Sequence, residues 1–292
     1  MTTGKKVALI TGCSSGGLGA ALAISLHKAN YRVIATARNT SKLEETRAVG
    51  IEDLELDVLS PTSITRCLRD LEVLTAGRLD LLINNAGAGY NMPVVDVDIE
   101  EARKVFDLNV FSLITVTRAF LPLLLKSKDA KVVNNISIAA YVGLPITGTY
   151  SSSKAAANMM TETLRVELAP FGVRVIALMT GSVKSNFTHN LPSSNAEVPH
   201  ELPEDSIYRV VPGGLKMMTD PEPLIMKDAM DAHVWAEQVV GDLSRANSPH
   251  QIWRGAHVTV ARAGCHFPIG LFDRQLKQTA RLDELDAALK RC

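Results

Sequence analysis

The chain lacks an excess of charge of either sign: 31 Lys and Arg stand against 31 Asp and Glu, with no basic run. That balance argues against nucleic acid as a partner. Cysteine is scarce and scattered. Cys13, Cys67, Cys265 and Cys292 form no Cys-x-x-Cys, so neither a disulfide framework nor a zinc site is expected, and a reducing cytoplasm fits. The seven His are dispersed, without His-Glu-x-x-His, and no metal is expected. Long apolar runs are also missing. Met-Thr-Thr-Gly-Lys-Lys passes into only four apolar residues, Val7 to Ile10, too few for the apolar region of a signal peptide. The greasiest piece, Ala119 to Leu125, contains Pro122 and stops at Lys126, short of the ~20 residues that span a bilayer. No transmembrane segment, repeat or low-complexity linker is expected. The expected location is cytoplasmic, with peripheral association at a membrane or lipid droplet left open.

Hydrophobic residues make up 46% of the 292, enough for a sizeable core in one large α/β domain or two smaller ones. The stretch richest in chemistry runs from Ser137 to Lys154. Tyr150 lies thirteen residues after Ser137, and Lys154 four after Tyr150. A Tyr and a Lys four apart on a helix share one face. A free phenol, with a pKa of about 10, is a reluctant acid or base at neutral pH; an ammonium beside it favours the phenolate. Ser137 comes from a different segment and suits a hydrogen bond to a carbonyl oxygen. The set fits proton transfer at an alcohol or ketone oxygen. Tyr-x-x-x-Lys alone is a weak pattern, equally satisfied by an amphipathic helix with a surface lysine. Its weight comes from what precedes it.

Val7–Ile10 reads as a buried strand, Thr11-Gly12-Cys13-Ser14-Ser15-Gly16-Gly17-Leu18-Gly19 as a glycine-rich turn, and Ala20 to Ala29 as a helix. In that setting the glycines permit a tight turn and close backbone approach. The helix N-terminus offers N–H groups and a positive dipole end to a pyrophosphate. Tyr31 to Arg38 is the second strand. An acid at this strand end serves the ribose hydroxyls of NAD, whereas an Arg accommodates a 2′-phosphate. Here the strand ends Ala35-Thr36-Ala37-Arg38-Asn39, without an acid, which favours NADP(H). Asp53–Leu56 is the third strand, and the carboxylate of the following Asp57-Val58 is placed to accept from an adenine amine. Ser60-Pro61 opens a helix. Leu79 to Ile83, the fourth strand, ends in Asn84-Asn85-Ala86-Gly87, whose amides either brace the sheet edge or line a cofactor crevice. Ile99–Leu125 reads as a helix with Asn109 in its apolar face, the place for a bend or a held water.

With these pieces in order the chain resembles the short-chain dehydrogenase/reductase family, strongly over residues 5–190 and loosely beyond. The carriers are Thr11–Gly19, Asp57-Val58, Asn84-Asn85-Ala86-Gly87, Asn109, Ser137, Tyr150 and Lys154. The resemblance implies a single doubly wound Rossmann-type α/β domain over residues 1–292, with a parallel sheet of about seven strands and helices on both faces. Residues 5–130 would form the cofactor-binding half, 131–263 the catalytic half and 264–292 an extension. The implied reaction is reversible hydride transfer between a nicotinamide and a carbonyl/alcohol pair. By the same resemblance Tyr150 is the general acid in reduction, and Lys154 lowers its pKa and holds the nicotinamide ribose. Ser137 positions the carbonyl oxygen, and Asn109 supports a water relay to Lys154. The cofactor would meet Gly12, Ser14, Ser15, Gly16, Gly17, Leu18 and Gly19 at its pyrophosphate, and Arg38, Asp57 and Val58 at its adenosine end. Asn85, Ala86, Gly87, Asn109, Tyr150, Lys154, Gly181, Val183 and Ser185 complete the implied set. Three departures stand out. Gly16-Gly17-Leu18-Gly19 carries one residue more than the family's Gly-x-Gly, which predicts a slightly altered turn with pyrophosphate binding retained. Thr180-Gly181 replaces the family's Pro-Gly, with Ser185 replacing the usual Thr. Ile136 stands before Ser137 where a second Ser is common.

Tyr150 to Glu167 is helical, with Pro170 beyond its end. Ala155-Ala156-Ala157 gives it a face that a neighbour can approach, although Ala is equally an ordinary helix former. In the family this helix often packs against its copy, so a homodimer or homotetramer is expected. Val173–Met179 is the sixth strand. From Asn186 to about Lys227, Pro192, Pro199, Pro203, Pro212, Pro221, Pro223 and Gly213-Gly214 break the pattern. A loop this long is usually a lid or binding segment. Its Phe187, Leu191, Ile207, Tyr208, Leu215, Met217 and Met218 suit covering an apolar ketone. A helix near Ala232–Leu243 and a strand near Ile252–Val260 complete the sheet. The tail from Gly264 to Cys292 exceeds the family's usual core, and either covers the site or supports assembly. The layout, including Trp253-Arg254-Gly255-Ala256, is loosely similar to the fungal acyl-dihydroxyacetone-phosphate reductase-like branch, which also resembles reductases of secondary metabolism. The expected activity is NADPH-dependent reduction of a small to medium apolar ketone or aldehyde. The alternatives are a nicotinamide-dependent epimerase or dehydratase, and a non-catalytic NADPH-binding protein of the same fold.

Overall fold

β1 (Val7–Ile10) is buried on both faces, and its side chains divide between two cores as a period of two requires. Ala8 and Ile10 face one core, Val7 and Leu9 the other. In the computed structural model, which describes residues 4–187, 202–210, 228–267, 270–280 and 282–290, this strand starts a doubly wound sheet. It is followed by α1 (Leu18–Lys28), β2 (Arg32–Ala37), the single turn α2 (Glu44–Arg47), β3 (Glu52–Glu55), α3 (Pro61–Thr75) and β4 (Leu81–Asn84). Next come α4 (Ile99–Phe106), α5 (Ser112–Leu124), β5 (Lys131–Asn135), α6 (Gly148–Leu168) and β6 (Arg174–Thr180). α7 (Ala232–Leu243), β7 (Gln251–Arg254), α8 (Val258–Gly264), α9 (Asp273–Thr279) and α10 (Leu282–Leu289) finish the described chain.

Seven strands pair in the order β3-β2-β1-β4-β5-β6-β7, every pairing parallel. The chain order reverses between β1 and β4, which opens a crevice at the C-terminal strand ends. On one face Leu22 and Leu26 of α1 meet Trp235, Val239 and Leu243 of α7 over Ile10, Val33, Ile83 and Leu178. On the other, Ile64 and Leu71 of α3 meet Val116, Phe120 and Leu123 of α5 over Leu9, Ile34, Leu82 and Val175. Full burial of one such side chain contributes roughly 1.5–3 kcal/mol, so these two layers supply most of the driving force. The edge strand β3 is different. Its Glu52, Asp53 and Glu55 pair with Arg32, Arg47 and Arg66.

The helix expected over Ile99–Leu125 is present but interrupted. Asp98 caps it, accepting from the N–H groups of Glu100 (2.8 Å) and Glu101 (3.3 Å), and Asp107–Phe111 widens to a π turn that carries Asn109. That turn is the bend the polar residue suggested. By length and composition Ile99–Leu124 is apolar enough to cross a membrane. Val116, Phe120 and Leu123, however, are packed against the sheet, which makes it a core helix. The last strand is shorter than Ile252–Val260. It stops at Arg254, and Val258-Thr-Val260 lies in α8 despite its β-branched residues. Gly255 (φ +110°) presses on the backbone of Gly181, and His257 (φ +65°) then turns the chain out of the sheet, so tertiary packing overrides propensity.

Part of the expected substrate loop is described. Leu202 is buried with Tyr90, Met92 and Val105 in a small separate core, and the Ser206 hydroxyl bonds the Asp96 carboxylate at 2.6 Å. A 3₁₀ turn over Ile207–Val210 follows, and α10 of the tail packs against it. Leu191, Leu215, Met217, Met218, Pro192, Pro199, Pro212, Pro221, Pro223 and Gly213-Gly214 lie outside the described residues, as does Cys292.

Candidate active site

The C-terminal strand ends bring the chemistry-bearing residues of six segments to one edge. After β1, Gly12 adopts φ +71° and Gly16 φ +74°, both in the region that favours glycine. A Cβ on Gly12 would lie 3.0 Å from the Ala86 Cα. A Cβ on Gly19 would collide with the Gly12 carbonyl and the Asn85 amide. Gly19, one position later than in the family's pattern, is therefore the residue that lets α1 approach the sheet. Gly17 stands at the start of α1, with no side-chain cap and no acid in the first turn. The first N–H groups of that helix have no intrahelical acceptors and suit an anion. This cradle fits the pyrophosphate of a dinucleotide.

Other parts of the turn are held by protein. Gly17 N–H bonds the Ser14 carbonyl at 3.0 Å. The Ser15 hydroxyl donates to the Lys42 carbonyl at 3.0 Å and accepts from Glu45 N–H at 3.1 Å. The Gly16 N–H donates to the Glu45 carboxylate at 2.8 Å. Asn186 closes over the turn from the far half, its backbone N–H on Gly16 O at 3.1 Å and its side chain on Ser15 O at 3.2 Å. Leu18 packs at the margin of the α1 core. Arg38 is exposed just beyond β2, with no acid at that strand end. Asp57 accepts from Leu59 N–H at 3.0 Å, and Val58 is buried.

Ser137 follows β5, and its hydroxyl accepts from Ala139 N–H at 3.1 Å and lies beside the hydroxyl of Tyr150. Tyr150 sits in the first turn of α6, its ring 5.6 Å from that of Phe187. Burial raises the Tyr150 phenol above its ordinary value, and the neighbouring Ser137 hydroxyl partly offsets this. Lys154 lies one turn on and is 5% exposed. Its Nζ is 6.0 Å from the Tyr150 ring centroid and donates to the Asn135 carbonyl at 2.8 Å. Desolvation pushes Lys154 down to about 8. Sequence reasoning expected the cation to dominate the phenol; in the folded chain burial is the larger influence on both groups.

Asn109 is buried in the π turn. Its Oδ1 accepts from Ala88 N–H at 3.0 Å, and its Nδ2 donates to Ala88 O at 2.9 Å and Ser153 Oγ at 3.0 Å. Gly87 leaves room in front of it: a Cβ there would lie 3.0 Å from Asn109 Oδ1 and 3.5 Å from Lys154 Nζ. Asn85 donates to the Thr11 and Gly12 carbonyls, bracing the edge beside Ala86. On the far side Gly181 is pressed against Ala256, Val183 is buried beside Met230, and Ser185 is partly exposed. Ser137, Tyr150, Lys154, Asn109 and Gly87 thus come together. Glu45, Asn135, Thr180 and Asn186 were not anticipated. Their contacts join segments distant in the chain and leave no local pattern. Among the described residues no cluster of His, Cys, Asp and Glu could hold a metal.

The short chain dehydrogenase family model matches residues 6–196. A short-chain dehydrogenase/reductase of Pestalotiopsis microspora is 40% identical over 295 aligned residues, covering 99% of each chain. The NADPH-dependent 1-acyldihydroxyacetone phosphate reductase of Schizosaccharomyces pombe is 34% identical, covering 95% of each. Among solved structures, a short-chain dehydrogenase from Streptomyces avermitilis superposes with a TM-score of 0.75 at 26% identity, covering 99% of this chain and 96% of its own. A Burkholderia cenocepacia short chain dehydrogenase in complex with NADP gives 0.68 at 27%, covering 96% and 99%. Glycine cradle, parallel sheet and relatives along almost the whole length agree, and the chain belongs to the short-chain dehydrogenase family, whose members are oxidoreductases using a nicotinamide cofactor.

Proposed function

We propose that the chain is an NADPH-dependent reductase that converts a small to medium apolar ketone or aldehyde to the alcohol, with Ser137, Tyr150 and Lys154 as its catalytic residues. The observation that carries this reading is the Ser137–Tyr150 hydroxyl pair with the Lys154 ammonium a helical turn away. When bound, the cofactor supplies hydride to the carbonyl carbon. The chain's own groups handle the oxygen. A phenol raised by burial is protonated at neutral pH, the state required of a general acid in reduction. Ser137, beside the same hydroxyl, would donate to the carbonyl oxygen and hold it in line with that proton. As the proton leaves, negative charge grows on the phenol oxygen. Lys154, near 8 and hence mostly cationic at neutral pH, stabilises that charge in a buried setting where the interaction is strong. Asn109 fixes the Ala88 backbone and Ser153 around the lysine. The uncapped α1 N-terminus would hold the pyrophosphate, and Arg38 a 2′-phosphate. A relative that is an NADPH-dependent reductase and a neighbour bound to NADP support this cofactor preference.

The apolar substrate class is supported by Phe187 against Tyr150. Solvent-exposed Met159, Met160 and Val166 on α6 support a homo-oligomer. The test is NADPH oxidation over a panel of ketones and aldehydes with the wild-type chain and Tyr150→Phe. The wild type should leave the hydride label in the alcohol, and Tyr150→Phe should turn over about 10²–10⁴-fold more slowly. A variant that kept more than about a tenth of the activity would remove the general acid from this role.

A further inference from the structure

The strand ends are tied to one another by a line of side-chain amides that begins at Thr180. Asn85 Nδ2 donates to the Thr11 carbonyl (2.9 Å) and the Gly12 carbonyl (3.0 Å). Two acceptors on one side fix that amide's orientation, so its Oδ1 must face the other way. There it accepts from Asn135 Nδ2 at 2.9 Å. Asn135 is oriented in turn, and its Oδ1 accepts from the Thr180 hydroxyl at 2.6 Å. The Thr180 hydroxyl must be the donor, because every other member has its polarity set from β1. The line crosses β6, β5, β4 and β1, including the switch point where the order reverses. At its centre, the Asn135 backbone carbonyl accepts from Lys154 Nζ at 2.8 Å. At its far end it reaches Gly12, in the turn where a Cβ would fill the space against Ala86.

We propose that Thr180 is a positioning residue, whose hydroxyl orients Asn135 and through it sets both the Lys154 ammonium and the Asn85–Gly12 floor of the cofactor crevice. The proposal rests on the reductase reading for its catalytic consequence and on the fold alone for its binding consequence. Proline, the residue usual at this position in the family, has no hydroxyl to donate. Thr180 is 7% exposed, and no bulk water replaces a hydroxyl removed from it. Valine keeps the branched shape and loses the donor, leaving the half-buried Asn135 Oδ1 without one.

Three chains are compared: wild type, Thr180→Val and Thr180→Ser. Binding is read by NADPH fluorescence without substrate, turnover by NADPH oxidation with the best ketone of the panel. Thr180→Val should weaken NADPH at least fivefold and lower kcat at least tenfold; Thr180→Ser should stay within twofold of wild type in both. In an Asn135→Ala background, Thr180→Val should add less than a twofold change, because the line is already cut. A valine variant within twofold of wild type, a serine variant as impaired as valine, or additive effects with Asn135→Ala would each overturn the assignment. Should the valine chain not fold, Thr180→Ala against Thr180→Ser makes the same comparison. If no ketone is reduced by the wild type while the NADPH shifts follow this pattern, the reductase reading falls and the positioning role stands. If ketones are reduced and the shifts are absent, the reverse holds.

Discussion

Lys154→Met tests whether the ammonium at the centre of the site is held against its own solvation. Burial brings Lys154 from 10.5 to about 8, whereas in the unfolded chain it returns to its ordinary value. Between those two values the unfolded chain binds a proton that the folded chain does not. Stability therefore rises with pH across that window, and the penalty is full below it. One unit is worth about 1.4 kcal/mol, so from pH 7 to pH 10 the wild type should gain about 2.5 kcal/mol that the methionine variant does not. For a chain of this length that corresponds to about 5 °C in Tm. The other titrating groups are common to both proteins and cancel in the difference. The hydrogen bond to Asn135 is missing from the variant at either pH, so it shifts the baseline and not the slope. Urea unfolding of both proteins at the two pH values reads the gap directly. Turnover by the variant should be lost throughout. Parallel stability–pH curves for the two proteins would refute the claim that desolvation sets the lysine's state.

Two further outcomes follow from the cofactor side, beside those stated for Tyr150 and Thr180. Arg38→Asp should weaken NADPH by at least tenfold more than NADH, since a carboxylate replaces the cation at that strand end and repels a 2′-phosphate; equal losses in fluorescence titrations of the two cofactors would remove Arg38 from the site. Gly19→Ala sets a Cβ against the Gly12 carbonyl, a backbone atom that cannot swing away, so both Tm and dinucleotide affinity should fall, the latter at least tenfold; an alanine chain that binds NADPH like the wild type would show that the turn is looser than its geometry indicates.

The parts legible in the sequence were those whose signal is local. The strands of a parallel sheet covered on both faces are continuous apolar runs, and β1, β2, β4 and β6 were placed within a residue or two. Ser60-Pro61 marked the start of α3, where the Ser60 hydroxyl accepts from Ser63 N–H at 3.2 Å. Asn109 marked the interruption of a helix. The departures were all set by distant partners. Val258-Thr-Val260 has strand composition, but Gly255 meets Gly181 and the chain cannot continue in register. Tyr150 and Lys154 were seen as a pair, while the burial that governs both comes from segments distant in the chain, such as Phe187 against the Tyr150 ring. The amide line from Thr180 joins four strands and has no periodicity. Glu45 on the Gly16 N–H is likewise invisible until α2 folds back on the turn.

The charged edge of the sheet bears on solubility. The ion pairs of β3 are largely exposed, as with Arg32 and Glu52 at 36% and 42%, and pairs of that kind add little to stability. Their effect is instead to deny an unpaired strand a docking partner. A molecule whose formal charge sums to +0 has no overall repulsion to keep copies apart, and leans on this local barrier. Replacing these charged pairs by neutral side chains would leave a bare strand flank, and self-association would begin from there.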